Sequence, residues 1–394
     1  MRNGTYGNGT EVGGIDIYGH RVDVSEAVGV TYKLCIKACG GDQVAFDWVI
    51  FSQQFGVWLL PWLALVSQLP FGANNKLDNL DSVLLTVGSP TLAAYSLALT
   101  VLNGRWIAQR FAEYTYPNVR NAIRILSSLQ QSPLKIETRD GLLASLVVLP
   151  QNDEWWSELV EWINYTHTWS ISAATSIGWV VVAYIFTLTE SFIGSIKPSG
   201  RGVGSLWLWL LPIVIGWLQI SPKCDSTRLS SAVDRANKIA YFATDEGDIV
   251  PAKHAKTEAR AIKLTITEVD YLRRDEKCTA PIYNYARFLP WVQAVEQVST
   301  AFKAASERYH GHEPVDPSKK WEELEGDELH ANNRVGNKTQ IEEYCVPYTW
   351  RRRSRWGPKI VSRMFVASVL ALMLQWGTAG AAIMDVWFTP TKGE

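Results

Sequence analysis

MFVASVLALMLQWGTAGAAIM, residues 364–384, contains no Asp, Glu, Lys or Arg and is followed at once by Asp385. An α-helix rises about 1.5 Å per residue, so about 20 apolar residues match the hydrocarbon thickness of a bilayer. A charge at the centre of such a helix costs about 2.5–3.5 kcal/mol on insertion, whereas a Leu or Ile returns only about 0.3–0.6 kcal/mol. The run therefore reads as a transmembrane helix. The competing reading is a buried core helix of a soluble protein, but such helices are usually shorter and keep one polar face.

Four more charge-free blocks precede it: 48–71 (WVIFSQQFGVWLLPWLALVSQLPF), 82–104 (SVLLTVGSPTLAAYSLALTVLNG), 168–189 (TWSISAATSIGWVVVAYIFTLT) and 203–220 (VGSLWLWLLPIVIGWLQI). In a chain of 394 residues that is 20% charged, this segregation outweighs a net charge of only -1. The expectation is an all-α membrane protein with about five hydrophobic helices and two long, mainly helical polar loops. Many of the 18 Trp lie at block edges, where an amphipathic ring suits the headgroup region. The near-neutral balance argues against a nucleic-acid binder, which would carry a basic stripe or domain.

The implied organisation is a polar N-terminal segment (1–47), a first helical hairpin (48–104) and an amphipathic loop (105–167). A second hairpin (168–220), a polar loop (223–363) and the last helix (364–384) follow. In the first loop, Val119, Ile123, Leu126 and Leu129 make one helical stripe, and 141–150 is too short to span. In the second, Ile262, Leu264 and Ile266 alternate as in a strand, and a helix is expected over 291–309. Residues 311–344 are charged and poor in apolar side chains, and read as a mobile linker.

Lys and Arg beside membrane spans favour the cytoplasmic side. Arg351, Arg352, Arg353, Arg355, Lys359 and Arg363 precede the last block, and basic residues also dominate after 104 and after 220. Both long loops are therefore expected in the cytoplasm. Asn3 and Asn8 stand in Asn-Gly-Thr triplets, glycosylation acceptors only if they face a lumen. They disagree with an even number of crossings before Arg105, unless the 82–104 block is re-entrant at Gly88-Ser89-Pro90. The side of the N-terminus stays open at this point.

Helix breaks are expected at Pro61, at Gly88 and Pro90, and at Pro212, as packing kinks or as the broken helices from which transporter sites are built. Cys35 and Cys39 do not have redox or zinc spacing, and His310 and His312 lack a third ligand. Gly200–Gly204 is not a phosphate loop, and neither Gly-x-Ser-x-Gly nor His-Glu-x-x-His occurs. No catalytic residue, cofactor or metal site emerges, and the block interiors hold only neutral polar groups such as Asn103 and Gln375.

Long strings including FSQQFGVWLLPWLALVSQLPFGA, SLWLWLLPIVIGWLQISPKCDS and LQWGTAGAAIMDVWFTPT resemble a family of uncharacterised fungal multi-pass integral membrane proteins. The resemblance covers most of residues 15–391. It implies a membrane class, and a chain that in the family continues past WFTPT, so this one looks like a C-terminally truncated member. It implies no activity, ligand or site residue.

Three function classes follow. A scaffold or sensor would act through its cytoplasmic loops, meeting a protein partner at 223–363. A small-solute transporter or channel component would be built around the broken helices. A membrane enzyme has the least behind it. The expected location is an integral position in the plasma membrane or an endomembrane.

Overall fold

The computed structural model describes residues 14–22, 27–32, 46, 48–69, 76–164, 170–193, 208–220, 223–254, 260–264, 275, 278, 280–324, 329–347 and 357–388. The chain divides into two units, Met1–Gly56 and Val57–Glu394. In the first, β1 (Gly14–Ile15) is the centre of a small antiparallel sheet of order β2-β1-β3, with β2 at Arg21–Val22 and β3 at Gly29–Val30. The Asp16 carboxylate closes the β1–β2 turn by accepting from the backbone N–H groups of Tyr18 and His20. Helix α1 covers Trp48–Gln54.

A π-helical turn at Phe55–Leu59 separates α1 from α2 (Leu60–Val66). Pro61 follows the π-helical turn, whose last residue, Leu59, is already in the right-handed helical region, so Pro61 continues a helical path rather than opening one. Helix α3 (Lys76–Gly88) meets α4 (Pro90–Arg110) at Ser89 with a bend of 102°. Pro90 is the first residue of α4, so Gly88 and Pro90 end one helix and begin another. The 82–104 block is thus two helices at a right angle.

The 168–189 block forms α8 (Ile171–Ile193), and the described part of 203–220 forms α9 (Leu210–Ile220), with Pro212 in its first turn. Pro90 and Pro212 therefore lie at helix starts, whereas Pro61 follows a π-turn. Between α4 and α8 come α5 (Val119–Ser128), β4 (Leu134–Ile136), α6 (Leu142–Val148) and α7 (Asp153–Ile163). After α9 come α10 (Ser226–Asn237), β5 (Tyr241–Ala243), β6 (Ile249–Pro251), β7 (Ile262–Leu264), α11 (Asn284–His310), α12 (Lys338–Tyr344) and α13 (Pro358–Phe388).

The fold is mostly helical. Among the described residues one helix, Pro358–Met384, is long and apolar enough to cross a membrane, and the bent α3–α4 pair raises the number to two. Ile171–Phe186 and Leu210–Ile220 are shorter apolar helices.

Two apolar cores organise the second unit. One collects Leu65 and Leu69, Ala93 and Ala94 of α4, Ile177 and Val180 of α8, Ile213, Val214 and Trp217 of α9, and Ala371 of α13. Here α9 comes so close to α4 that a Cβ on Gly216 would lie 2.6 Å from a Leu97 methyl. The other core is built from α5, α6, α7, α10, α11 and α12, with the last turns of α4 and the first of α13. Trp155, Trp156, Phe302 and Trp291 fill its centre.

The two polar loops fold together in this second core. Strand β4 of the first pairs antiparallel with β7 of the second, Leu134 opposite Leu264, and Arg110 forms an ion pair with Glu296 at 3.1 Å. The expected strand is present over 262–264. Its partner at 134–136 joins segments too distant in sequence for any local pattern to announce.

The stretch read as a mobile linker is largely packed. Val315, Asn333, Arg334, Ile341 and Tyr344 are buried, and Asn337 caps α12 in a reciprocal capping box with Gln340. Gly141, at φ +65°, lies under α12, where a Cβ would meet Glu342 and Lys338 at 3.2 Å. Arg334 clamps the segment down: its guanidinium donates to both Asp153 oxygens at 2.6 Å and to the Val148 and Leu149 carbonyls. Burial alone would lower the Arg334 pKa, but the Asp153 carboxylate outweighs that and holds it above the ordinary value.

Cys345, just after α12, has its thiol pushed up to about 12 by burial, against which nearby Arg308 is insufficient. We predict that its alkylation rate in the folded protein climbs about tenfold per pH unit from pH 8 to pH 11, because thiolate is the nucleophile. A plateau near pH 9 would contradict this. Arg334→Met should destabilise the fold by about 2–3 kcal/mol, at or below the low end for a broken buried pair because half-exposed Asp153 can rehydrate. Thermal unfolding in detergent checks this, and a loss under about 0.5 kcal/mol would show that the clamp does not hold the segment.

Candidate functional site

Between the two cores lies a layer of buried polar side chains. Ser96, Thr100 and Asn103 recur at helical spacing on one face of α4, inside a block otherwise rich in Leu and Ala. Ser96 donates to the Ile282 carbonyl at 3.0 Å, so the turn before α11 docks on this face. Thr100 Oγ1 donates to the Ser96 carbonyl at 2.8 Å and accepts from Gln131 Nε2 at 3.0 Å and from Asn284 Nδ2 at 2.7 Å. Gln131 Oε1 in turn accepts from Arg287, which also donates to the Ala280 carbonyl, both at 3.1 Å.

One turn further along α4, Asn103 Oδ1 accepts from Arg363 of α13 at 2.6 Å. The Arg363 guanidinium lies over the Trp106 ring at 4.0 Å and near the Phe288 ring at 5.2 Å. Guanidinium over an indole face is a favourable cation–π pairing, worth more when desolvated. Arg363 thereby ties α13 to both α4 and α11.

Arg287 is 2% exposed. The titratable groups that face it are the thiols Cys224 and Cys278 and the phenols Tyr285 and Tyr283, with no carboxylate among them. Burial pushes the guanidinium down to about 10 and the Cys224 thiol up to about 12. The charge is held by neutral oxygens alone, and five atoms of the layer (Asn103 Nδ2, Asn284 Oδ1, Arg287 Nε and Nη1, Arg363 Nη2) have no protein partner. What these contacts do is position α4, α11 and α13 against one another.

Lys359 is exposed in the first turn of α13, while Arg363, read with it as part of a basic flank, is turned inward. Arg351, Arg352, Arg353 and Arg355, the acceptors Asn3 and Asn8, and Cys35 and Cys39 lie outside the described residues. Pro61, Gly88, Pro90 and Pro212 are distributed over separate helix ends rather than gathered into one site. His310 bonds Thr115 at 2.9 Å and His312 lies against Trp321 at 5.3 Å, so neither points to a shared metal. Among the described residues, no group of three His, Cys, Asp or Glu could hold a metal ion.

Sequence reasoning missed Thr100, Gln131, Asn284 and Arg287. The signal available was the period of Ser96, Thr100 and Asn103: three polar residues on one face of an apolar helix mark a face turned to protein, not to lipid. No family model, no curated protein and no solved structure matches the chain.

Thr100→Val keeps the shape but strands the Gln131 and Asn284 amides. At about 1–3 kcal/mol for each stranded group, the variant should lose roughly 2–4 kcal/mol of stability, whereas Thr100→Ser should stay within about 1 kcal/mol. Equal losses for the two variants in detergent melts would show that packing, rather than the shared hydroxyl, is what matters.

Proposed function

We propose that this chain is a multi-pass integral membrane protein in which a helical platform is held against the bilayer, acting as a scaffold or sensor on the cytoplasmic side. The single observation that carries the reading is the exposure of α13. Only 17% of its apolar window is buried, and Phe365, Met373, Trp376, Ile383 and Met384 are each more than half exposed. Moving one such side chain out of water is worth about 1.5–3 kcal/mol in full. Even at half exposure, the apolar residues of α13 represent about 10 kcal/mol, comparable with the entire stability of a domain. Hydrocarbon contact removes that penalty.

The co-folding of residues 105–164 with 223–347 supports placing both polar loops on the same side, with α8 and α9 as a hairpin between them. The basic residues ahead of α13 favour the cytoplasm for that side. In this reading α2, α4, α8, α9 and α13 cross or enter the bilayer, in line with the five apolar blocks and with the resemblance to fungal multi-pass proteins. The outer face of the platform, formed by α5, α7, α10 and α12, is where a protein partner would dock. A second reading, a transporter or channel component, is favoured by the right-angle break at Ser89, since interrupted helices build substrate sites in many carriers.

Glu113→Cys and Lys320→Cys place one thiol on an exposed point of each loop. In sealed vesicles, a membrane-impermeant maleimide should reach both from the same side, and should reach a cysteine appended after Glu394 only from the other. Labelling of the two loops from opposite sides would end the proposal.

A further inference from the structure

Helix α3 has its polarity inside out. Leu77, Leu80 and Leu84 fall three and four residues apart, on one face, and are 66%, 52% and 60% exposed. On the opposite face Ser82 and Thr86 are buried, at 3% and 1%. Their hydroxyls are satisfied locally, Ser82 by the Asp78 carbonyl at 2.7 Å and Thr86 by the Ser82 carbonyl at 2.6 Å, so that face can be buried at little cost. Water selects the opposite arrangement, with apolar residues turned toward the protein. Here the leucines are turned outward.

The bend at Ser89 supplies the second observation. Helix α4 runs alongside α13 through both cores, in the opposite sense, so it shares the direction in which α13 crosses the bilayer. A helix at 102° to α4 therefore lies close to the membrane plane. From Asn103 in the polar layer back to Pro90, α4 descends about 20 Å at 1.5 Å per residue. That puts α3 beyond the turn before α11, and its buried face packs against that turn, where Ser82 faces Tyr283. Asp78 and Asp81 fall on the flank between the two faces, within reach of headgroups and water.

We propose that α3 is an interfacial helix lying flat at the membrane boundary, with Leu77, Leu80 and Leu84 inserted among the acyl chains. The lipid boundary is the occupant that fits, because the exposed leucine row continues the apolar exterior of the bundle to which α4 belongs. This inference rests on the membrane reading above. It means that the 82–104 block contributes one crossing, through α4, and one surface helix.

The test uses the full chain in vesicles of phosphatidylcholine and phosphatidylglycerol. Spin labels are placed by Leu80→Cys and Leu84→Cys, with Met373→Cys on α13 as the lipid reference and Glu113→Cys as the aqueous one. The parent chain's own label signal is subtracted. Power saturation compares molecular oxygen, which partitions into acyl chains, with a water-soluble nickel chelate. Labels at 80 and 84 should match 373, with oxygen access several-fold above nickel access. Nickel dominating at 80 and 84 while 373 stays oxygen-rich would overturn the proposal alone. Low access to both reagents at 80 and 84 would also overturn it, by showing protein, such as a second copy, over the leucines. Nickel dominating at 373 as well would bring down the membrane reading beneath it.

Discussion

Thr100 Oγ1 serves two amides and one carbonyl at once, and Asn103, one turn on, receives Arg363 from a helix more than 250 positions later. These contacts fix α4 to α11 and to α13 at the level where one apolar core gives way to the other. Both cores depend on that register, because α4 and α13 are the helices that contribute to each. A slip by one turn would carry Arg363 off Asn103 and Trp106 and into an apolar surround, where an unpaired charge costs several kcal/mol. Buried polar groups of this kind add little net stability, and five atoms of the layer have no protein partner. Their effect is to make one arrangement of the helices far better than its neighbours.

On the membrane reading proposed above, the same layer divides the molecule by the solvent around each part. Above it, the platform has an ordinary interior: tryptophans and branched aliphatics inside, ion pairs such as Arg110–Glu296 and Arg334–Asp153 at the edges. Below it, helices α8 and α13 expose aromatic and branched side chains on most of their circumference. The proposed reading gives these two exteriors different surroundings. In that proposal aqueous solvent surrounds the first and hydrocarbon the second.

The apolar blocks were legible because their signal is collective: no charge over twenty or so residues is hard to reach by accident. The helices at 171–193, 210–220 and 358–388 fall on blocks read that way. Helix ends were harder, since a Pro inside an apolar run gives no clue whether it kinks one helix or starts another. Pro90 and Pro212 start one, and Pro61 follows a π-turn. Residues 311–344 misled for a related reason, because composition averages over a stretch whose anchoring rests on few side chains: Val315, Arg334, Ile341 and Tyr344. The polar layer was least legible. Thr100, Gln131, Asn284 and Arg287 come from three separate segments, and only their assembly shows what each is for.

Hydroxyl-radical footprinting of the protein in lipid nanodiscs addresses the central claim directly, since radicals generated in water oxidise what water reaches. Met373 and Trp376 are 66% and 70% exposed and belong to the most oxidisable side-chain types. If lipid covers the helices below the polar layer, both stay unmodified while exposed platform residues such as His312 are oxidised. Oxidation of Met373 and Trp376 at rates matching their exposure would mean that water surrounds α13, and the division into two solvent environments would be wrong.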